Sequence, residues 1–163
     1  MKLSIASKEQ LSIVRDLAYQ IWPDTYGKTH TQSELDYMLS KFYSLESLEN
    51  QWSNGHIFIL ANENESYLGF VSYEINSENT SKTKIHKLYV LPQTQGKGIG
   101  KQLVDYVKND AIYNENIGLF LNVNKLNNAQ DFYTKYDFKV TKDIIIDIGN
   151  GFVMDDYVME LLL

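Results

Sequence analysis

The spacing of apolar residues along this chain alternates between the period of a strand and that of a helix. Leu3-Ser4-Ile5-Ala6 reads as a short first strand. Ser7 reads as the N-cap of a helix that carries Leu11, Val14, Leu17, Ala18 and Ile21 on one face. Trp22-Pro23-Asp24 is expected to end that helix, since proline removes a backbone donor. Ser33 is expected to start a second helix with Leu35, Met38, Leu39 and Phe42 on one face, and residues 43–55 have room for a further short one. Apolar strands follow at residues 57–61 and 67–75, separated by the polar turn Asn62-Glu63-Asn64-Glu65. A second polar turn at residues 76–81 leads into a strand over 84–91, broken by Pro92. Ile99, Leu103, Val107 and Ala111 recur every four residues and mark a long helix. A strand at 119–123 and a short helix around Ala129, Phe132, Tyr133 and Tyr136 come next. Residues 143–148 and 152–161 read as two late strands around the turn Gly149-Asn150-Gly151. The order β-α-α-β-β-β-α-β-α-β-β predicts an α/β protein with a mixed central β-sheet and helices on both faces. With no repeat or linker in its 163 residues, a single domain over 1–163 is expected.

Between the fourth strand and the helix after it lies Gln95-Gly96-Lys97-Gly98-Ile99-Gly100. Glycines at alternate positions let backbone approach a ligand, and they leave amide N–H groups free at the mouth of a helix dipole. This arrangement holds a phosphate or pyrophosphate. Two familiar phosphate loops fail on spacing. Counting from Gly96, Lys101 stands where a Walker A loop needs its second glycine, and Gln102 is no hydroxyl residue. The third glycine also comes one residue early for a dinucleotide fingerprint.

The pattern Q-x-x-G-x-G, preceded by Leu88-Tyr89-Val90-Leu91-Pro92, resembles the acyl-CoA pyrophosphate loop of the GCN5-related N-acetyltransferases. A second segment, Asn127-Asn128-Ala129-Gln130-Asp131-Phe132-Tyr133-Thr134-Lys135-Tyr136-Asp137-Phe138, is similar to that family's N-x-A-x-x-F-Y-x-K-x-G-F signature, with Asp137 where glycine is usual. The resemblance extends over essentially the whole chain. The Asp-Tyr-x-Met-Glu-Leu ending looks like that of the polyamine-acetylating branch. It implies the acyl-CoA N-acyltransferase fold, in which the strands before and after the loop helix splay apart to admit the pantetheine arm. It also implies acetyl-CoA as co-substrate and direct transfer of its acetyl group to a primary amine, such as a polyamine. By this match Gln95, Gly96, Lys97, Gly98, Ile99 and Gly100 would hold the pyrophosphate. Backbone near Leu88, Tyr89 or Val90 would pair with pantetheine and the thioester carbonyl. Asn127, with Asn128 as rival, would bind the pantetheine, and Tyr133 would protonate the departing thiolate. Tyr133 also reads, from spacing alone, as a core aromatic beside Phe132 and Tyr136.

A base for the incoming ammonium is less defined. Some relatives carry a glutamate eleven residues before the glutamine, but here that position is Lys84. His86 lies on the same face by alternation and has the intrinsic pKa of a base; a surface or structural histidine is the competing reading. The acceptor side is expected from the end of the first helix, with Trp22 and Tyr26 as aromatic walls and Asp24 as an anchor. Asp155-Asp156-Tyr157 is a further acidic candidate.

Composition narrows these options. No cysteine is present, which excludes disulfides, thiolate metal sites and a cysteine nucleophile, and so supports direct attack. The net charge of −6 comes with no basic stripe and disfavours nucleic acid as a partner. No apolar run reaches membrane-spanning length and no signal peptide is evident, so a cytoplasmic protein, monomeric or homodimeric, is expected. Two rival functions stay open: acetylation of a protein N-terminus or lysine, and a non-catalytic acyl-CoA-binding sensor.

Overall fold

Hydrogen-bonding side chains start the first helices. Ser7 and Gln10 form a capping box around a single 3-10 turn, which feeds α1 (Leu11–Tyr26). Thr31 and Glu34 form another at the start of α2 (Gln32–Tyr43), and Ser44 caps α3 (Leu45–Ser53). The second helix therefore starts just before Ser33. The first helix does not stop at Trp22-Pro23-Asp24 but runs through Pro23 to Tyr26. Pro23 is exposed and removes only its own amide donor, while burial of Trp22 and Tyr26 holds the last turn against the core.

The computed structural model describes residues 1–163, and its strands form one sheet in the order β1-β2-β3-β4-β5-β7-β6. These are β1 (Lys2–Ile5), β2 (Ile57–Glu63), β3 (Ser66–Glu74), β4 (Lys82–Val90), β5 (Gly118–Asn124), β6 (Lys139–Gly149) and β7 (Phe152–Leu162). All neighbours are antiparallel except β4 and β5. That parallel pair is bridged by α4 (Ile99–Tyr113); α5 (Ala129–Lys135) follows β5. β6 begins earlier than its apolar pattern suggested. Lys139, Val140, Thr141 and Lys142 lie on an exposed edge, where strand structure requires no apolar alternation.

Helices cover both faces. Leu11, Val14, Leu17, Ile21, Leu35, Leu39 and Leu48 of α1–α3 pack on Phe58, Leu60 and Phe70. On the other face Leu103, Val104, Val107 and Ala111 of α4 pack on Ile59, Ala61, Val71, Tyr73 and Leu121. The alternation of β2 and β3 sends successive side chains to opposite cores, which is why both strands read as unbroken apolar runs.

The pairing of β4 with β5 is short. It covers Lys82↔Gly118 to Ile85↔Leu121 and then stops. Beyond it β4 stays with β3, and β5 stays with β7 along its whole length, so the sheet opens into a V. Buried Asn116 pins the closed end: its Oδ1 accepts from Thr83 Oγ1 at 2.8 Å and from Asn76 N at 3.2 Å, and its Nδ2 donates to Asn76 Oδ1 at 2.7 Å. Near the point of opening, β4 carries a bulge. Ser72 pairs with Lys87 and Tyr73 with Ile85, so His86 is the extra residue.

Helix α5 ends in a Schellman motif, with Phe138 N donating to Tyr133 O and Asp137 N to Thr134 O, both at 3.0 Å. Asp137 stands at the left-handed position with φ +74°. A side chain there costs about 1 kcal/mol relative to glycine. Asp137→Gly is therefore expected to raise the melting temperature by about 2–4 °C, read by calorimetry. An unchanged or lower value would show that the Asp137 side chain supplies a compensating interaction.

Candidate active site

The glycine loop takes the conformation its composition favours. Gly96 and Gly98 have φ of +83° and +79°, and Gly98 is the N-cap of α4. A Cβ at either would meet nothing within 4 Å, so their requirement lies in the backbone angle and not in crowding by the protein. A Cβ at Gly100 would touch the Phe132 ring at an ordinary 3.6 Å. Gln95 N donates to Pro92 O, and Gln102 N donates to Gly98 O. The amides between them, residues 96–101, have no acceptor on the protein. They lie at the positive end of α4, an arrangement that favours an anion.

The V between β4 and β5 is the other half of the site. Past Ile85, one edge of β4 has no strand partner, which leaves backbone groups around Leu88, Tyr89 and Val90 available to an extended ligand. A cavity of about 370 Å³ opens here. Trp22 and Tyr26 of α1, Phe42 and Tyr43 of α2, Tyr89 of β4 and Tyr133 of α5 are among its walls.

Tyr133 is 6% exposed, with its ring edge-on to Phe132 and Phe138. Its hydroxyl has no hydrogen-bond partner and faces the cavity; burial first, then Tyr26, raises its pKa. Both sequence readings of Tyr133 therefore describe the same residue, a packed ring that presents a free phenol. Nearby, the hydroxyls of Tyr26 and Tyr89 share a hydrogen bond of 2.8 Å, and Asn127 Nδ2 donates to Tyr26 at 3.3 Å. Asn127 also accepts from Ala129 N at 2.8 Å and lines the cavity, whereas Asn128 is exposed and away from it.

His86 reaches the cavity wall, but its surroundings weaken it as a base. Its ring stacks on His56 with centroids 4.0 Å apart, and its Nε2 lies 3.2 Å from Glu74 Oε1. Burial, and then His56, push its pKa down to about 3 despite Glu74. The intrinsic pKa that recommended His86 from sequence does not survive this environment. His56, Glu74 and His86 also form a group of possible metal ligands, with Nε2 of His56 and of His86 4.0 and 3.2 Å from Glu74 Oε1.

Of the residues expected at the acceptor end, Trp22 and Tyr26 line the cavity. Asp24 does not; it is exposed on the outer face of α1, because the helix that was expected to end there continues. The bulge at His86 turns consecutive residues, His86 and Lys87, toward the same side. Lys87 is 9% exposed, donates to Gln51 Oε1 at 2.8 Å and has no carboxylate partner, and burial brings its pKa down to about 7. Asp156 of β7 is 1% exposed with a buried Oδ1 that bonds to nothing. Its position was legible: along β7, Phe152, Met154, Asp156 and Val158 share one face, and a carboxylate replaces an apolar residue in that series.

An acetyltransferase (GNAT) domain model matches residues 26–161. Among solved structures, the PaiA N-acetyltransferase of Thermoplasma acidophilum, in complex with coenzyme A, is 24% identical, with a TM-score of 0.80 over 100% of both chains. A GCN5-related N-acetyltransferase of Rhodopseudomonas palustris reaches a TM-score of 0.83 at 17% identity, over 99% of this chain and 95% of that one. The ribosomal-protein-S18-alanine N-acetyltransferase of Escherichia coli gives 0.73 at 13%, over 99% and 92%. The matched span takes in the splayed strands, the glycine loop and α5 together, and the chain belongs to the GNAT acetyltransferase family, whose enzymes use acetyl-CoA as co-substrate.

Proposed function

We propose that this protein transfers the acetyl group of acetyl-CoA directly to a small primary amine. The observation that carries this reading is a cavity lined by an unpaired strand edge and a free phenol, in a chain whose glycine loop, just after that strand, leaves its amides unpaired. The amides of residues 96–101 hold the pyrophosphate. Backbone around Leu88, Tyr89 and Val90 positions the pantetheine and donates to the thioester oxygen as it gains charge. Asn127 supports the pantetheine from the turn between β5 and α5.

The balance of the reaction sets the remaining roles. The amine nitrogen, having lost its proton, bonds to the acetyl carbon, and the carbon–sulfur bond breaks. The nitrogen loses a second proton as the amide forms, and the phenol of Tyr133 gives its proton to the departing thiolate and recovers one from solvent; of the two protons the ammonium loses, the thiol accounts for one and the other is released. With its lowered pKa, His86 is a poor proton acceptor for an ammonium and serves as part of the wall.

A polyamine is the acceptor class suggested by the chain's ending. Known proteins of this fold act on unlike acceptors, since one structural neighbour is an aminoglycoside 6'-N-acetyltransferase and another acts on a ribosomal-protein alanine. The fold therefore does not choose among them. A cavity that extends from the open edge of β4 to α1, α2 and the β6–β7 pair favours a catalytic role over a sensor, which needs no acceptor space.

Gly98→Asp is expected to weaken acetyl-CoA binding by about tenfold or more, because a carboxylate would enter the anion cradle. Gly98→Asn, neutral and tolerant of the left-handed backbone, should weaken it far less. Calorimetric titration of both folded variants decides this; equal losses would remove the electrostatic assignment.

Tyr133→Phe is expected to lower kcat by roughly 10² to 10⁴ while leaving acetyl-CoA affinity and melting temperature nearly unchanged, since the ring stays packed and no hydrogen bond is lost. A wild-type kcat in the folded variant would exclude Tyr133 as the general acid.

A further inference from the structure

Asp156 has no role in the fold that would offset its burial. It lies in the middle of β7, paired on one side with Asn124 of β5 and on the other with Ile144 of β6. Its neighbour Asp155 points the opposite way, where Lys125 Nζ holds it at 3.0 Å. Asp156 itself has neither an ion pair nor a hydrogen bond; Oδ1 is sealed from water and unpartnered, and the side chain borders the cavity. A buried carboxylate in that state destabilises the protein that carries it. Burial, then Asp155, raises its pKa to about 6, and Lys125 and Lys84 oppose the shift only in part. The facing group on α1 is the neutral phenol of Tyr26, whose ionisation the Asp156 charge further disfavours. The missing partner of Asp156 is a cation.

The rest of the wall says what such a cation is attached to. Trp22, Phe42, Tyr43 and Met154 present apolar surface. The other carboxylate on the wall, Asp147, is exposed and already accepts from Gly149 N at 2.8 Å. Lys41, Lys84 and Lys87 also border the cavity. A polycation would have to place its further charges beside these lysines, whereas a molecule with one ammonium on an apolar body adds no charge beyond the one that Asp156 offsets.

We propose that Asp156 is the ammonium-binding group of the acceptor site, and that the acceptor is a monoamine with an apolar or aromatic body lying against Trp22, Phe42 and Tyr43. This rests on the acetyl-transfer reading above and narrows it. Of the acidic candidates the sequence offered, it favours Asp156 in the middle of β7 over Asp24 at the end of α1.

The probe is phenethylamine, a primary ammonium on an aromatic body, with spermidine as the polycationic counterpart. Each is titrated calorimetrically into coenzyme A-saturated wild-type protein, Asp156→Asn and Asp156→Glu, with acetyl-CoA affinity and thermal melts measured alongside. Asp156→Asn is expected to weaken phenethylamine binding by about tenfold or more, as for loss of a charge-assisted bond. Coenzyme A affinity should stay within about twofold. The melting temperature at neutral pH should rise, because a buried unpaired charge is removed; Asp156→Glu should retain part of the binding. Wild-type and Asp156→Asn proteins that bind phenethylamine alike, or a wild type that binds none, would overturn the anchor. Spermidine binding tighter than phenethylamine would overturn the monoamine assignment. Binding that depends on Asp156 without any thiol release from acetyl-CoA would instead refute the transfer reading and leave the anchor standing.

Discussion

The parallel pairing of β4 and β5 stops after Ile85 and Leu121, and the site depends on that interruption. Strands held together to their ends would satisfy each other's backbone groups and leave no slot. Here each strand keeps its outer partner, β3 or β7, so the separation costs no pairing on the outer edges. The inner edges alone are left open, and they are the groups an extended amide-bearing ligand can satisfy. Asn116 fixes the closed end by bonding to both Thr83 and the turn at Asn76, so the opening has a defined hinge point. The bulge at His86 lies where the opening begins and delivers adjacent side chains to one side.

The glycine loop and the cavity handle charge by different means. The loop offers an anion backbone dipoles that need no ionisable side chain, and the protein invests only positive-φ glycines. At the acceptor end the charged groups are buried and poorly matched. Lys87 lacks an anion, Asp156 lacks a cation, and burial, then His56, lowers the pKa of His86 despite Glu74. Each of these arrangements opposes folding, and they are gathered around one cavity and not scattered through the core. Such clustering supports the proposal of an acceptor site here.

Much of this was legible in the chain. The glycine spacing pointed to a loop with left-handed backbone at the start of a helix, and Gly96 and Gly98 take that conformation. The segment around Tyr133 was readable because a seven-residue helix with aromatics on one face leaves few places for a phenol to go. Asp137 could be read as a left-handed cap, since short polar side chains tolerate that geometry. What could not be read depends on tertiary context. Pro23 looked like a helix end, but packing of Trp22 and Tyr26 carries the helix past it, and Asp24 is thereby turned outward. His86 looked like a base because its stacking partner, His56, is distant in sequence. The exposed edge of β6 carries no apolar period to detect. Asp156 was visible as a break in the apolar face of β7, but only the fold shows that this face lines the cavity.

The central claim is that the loop amides and the open edge of β4 receive one ligand together. Titration of ¹⁵N-labelled protein with acetyl-CoA, followed by amide chemical shifts, tests this directly. The account predicts that the largest shifts fall in two separate stretches, residues 96–101 and 86–90, and that both saturate with a single affinity. Shifts that leave either stretch unmoved while the ligand binds elsewhere on the protein would contradict it.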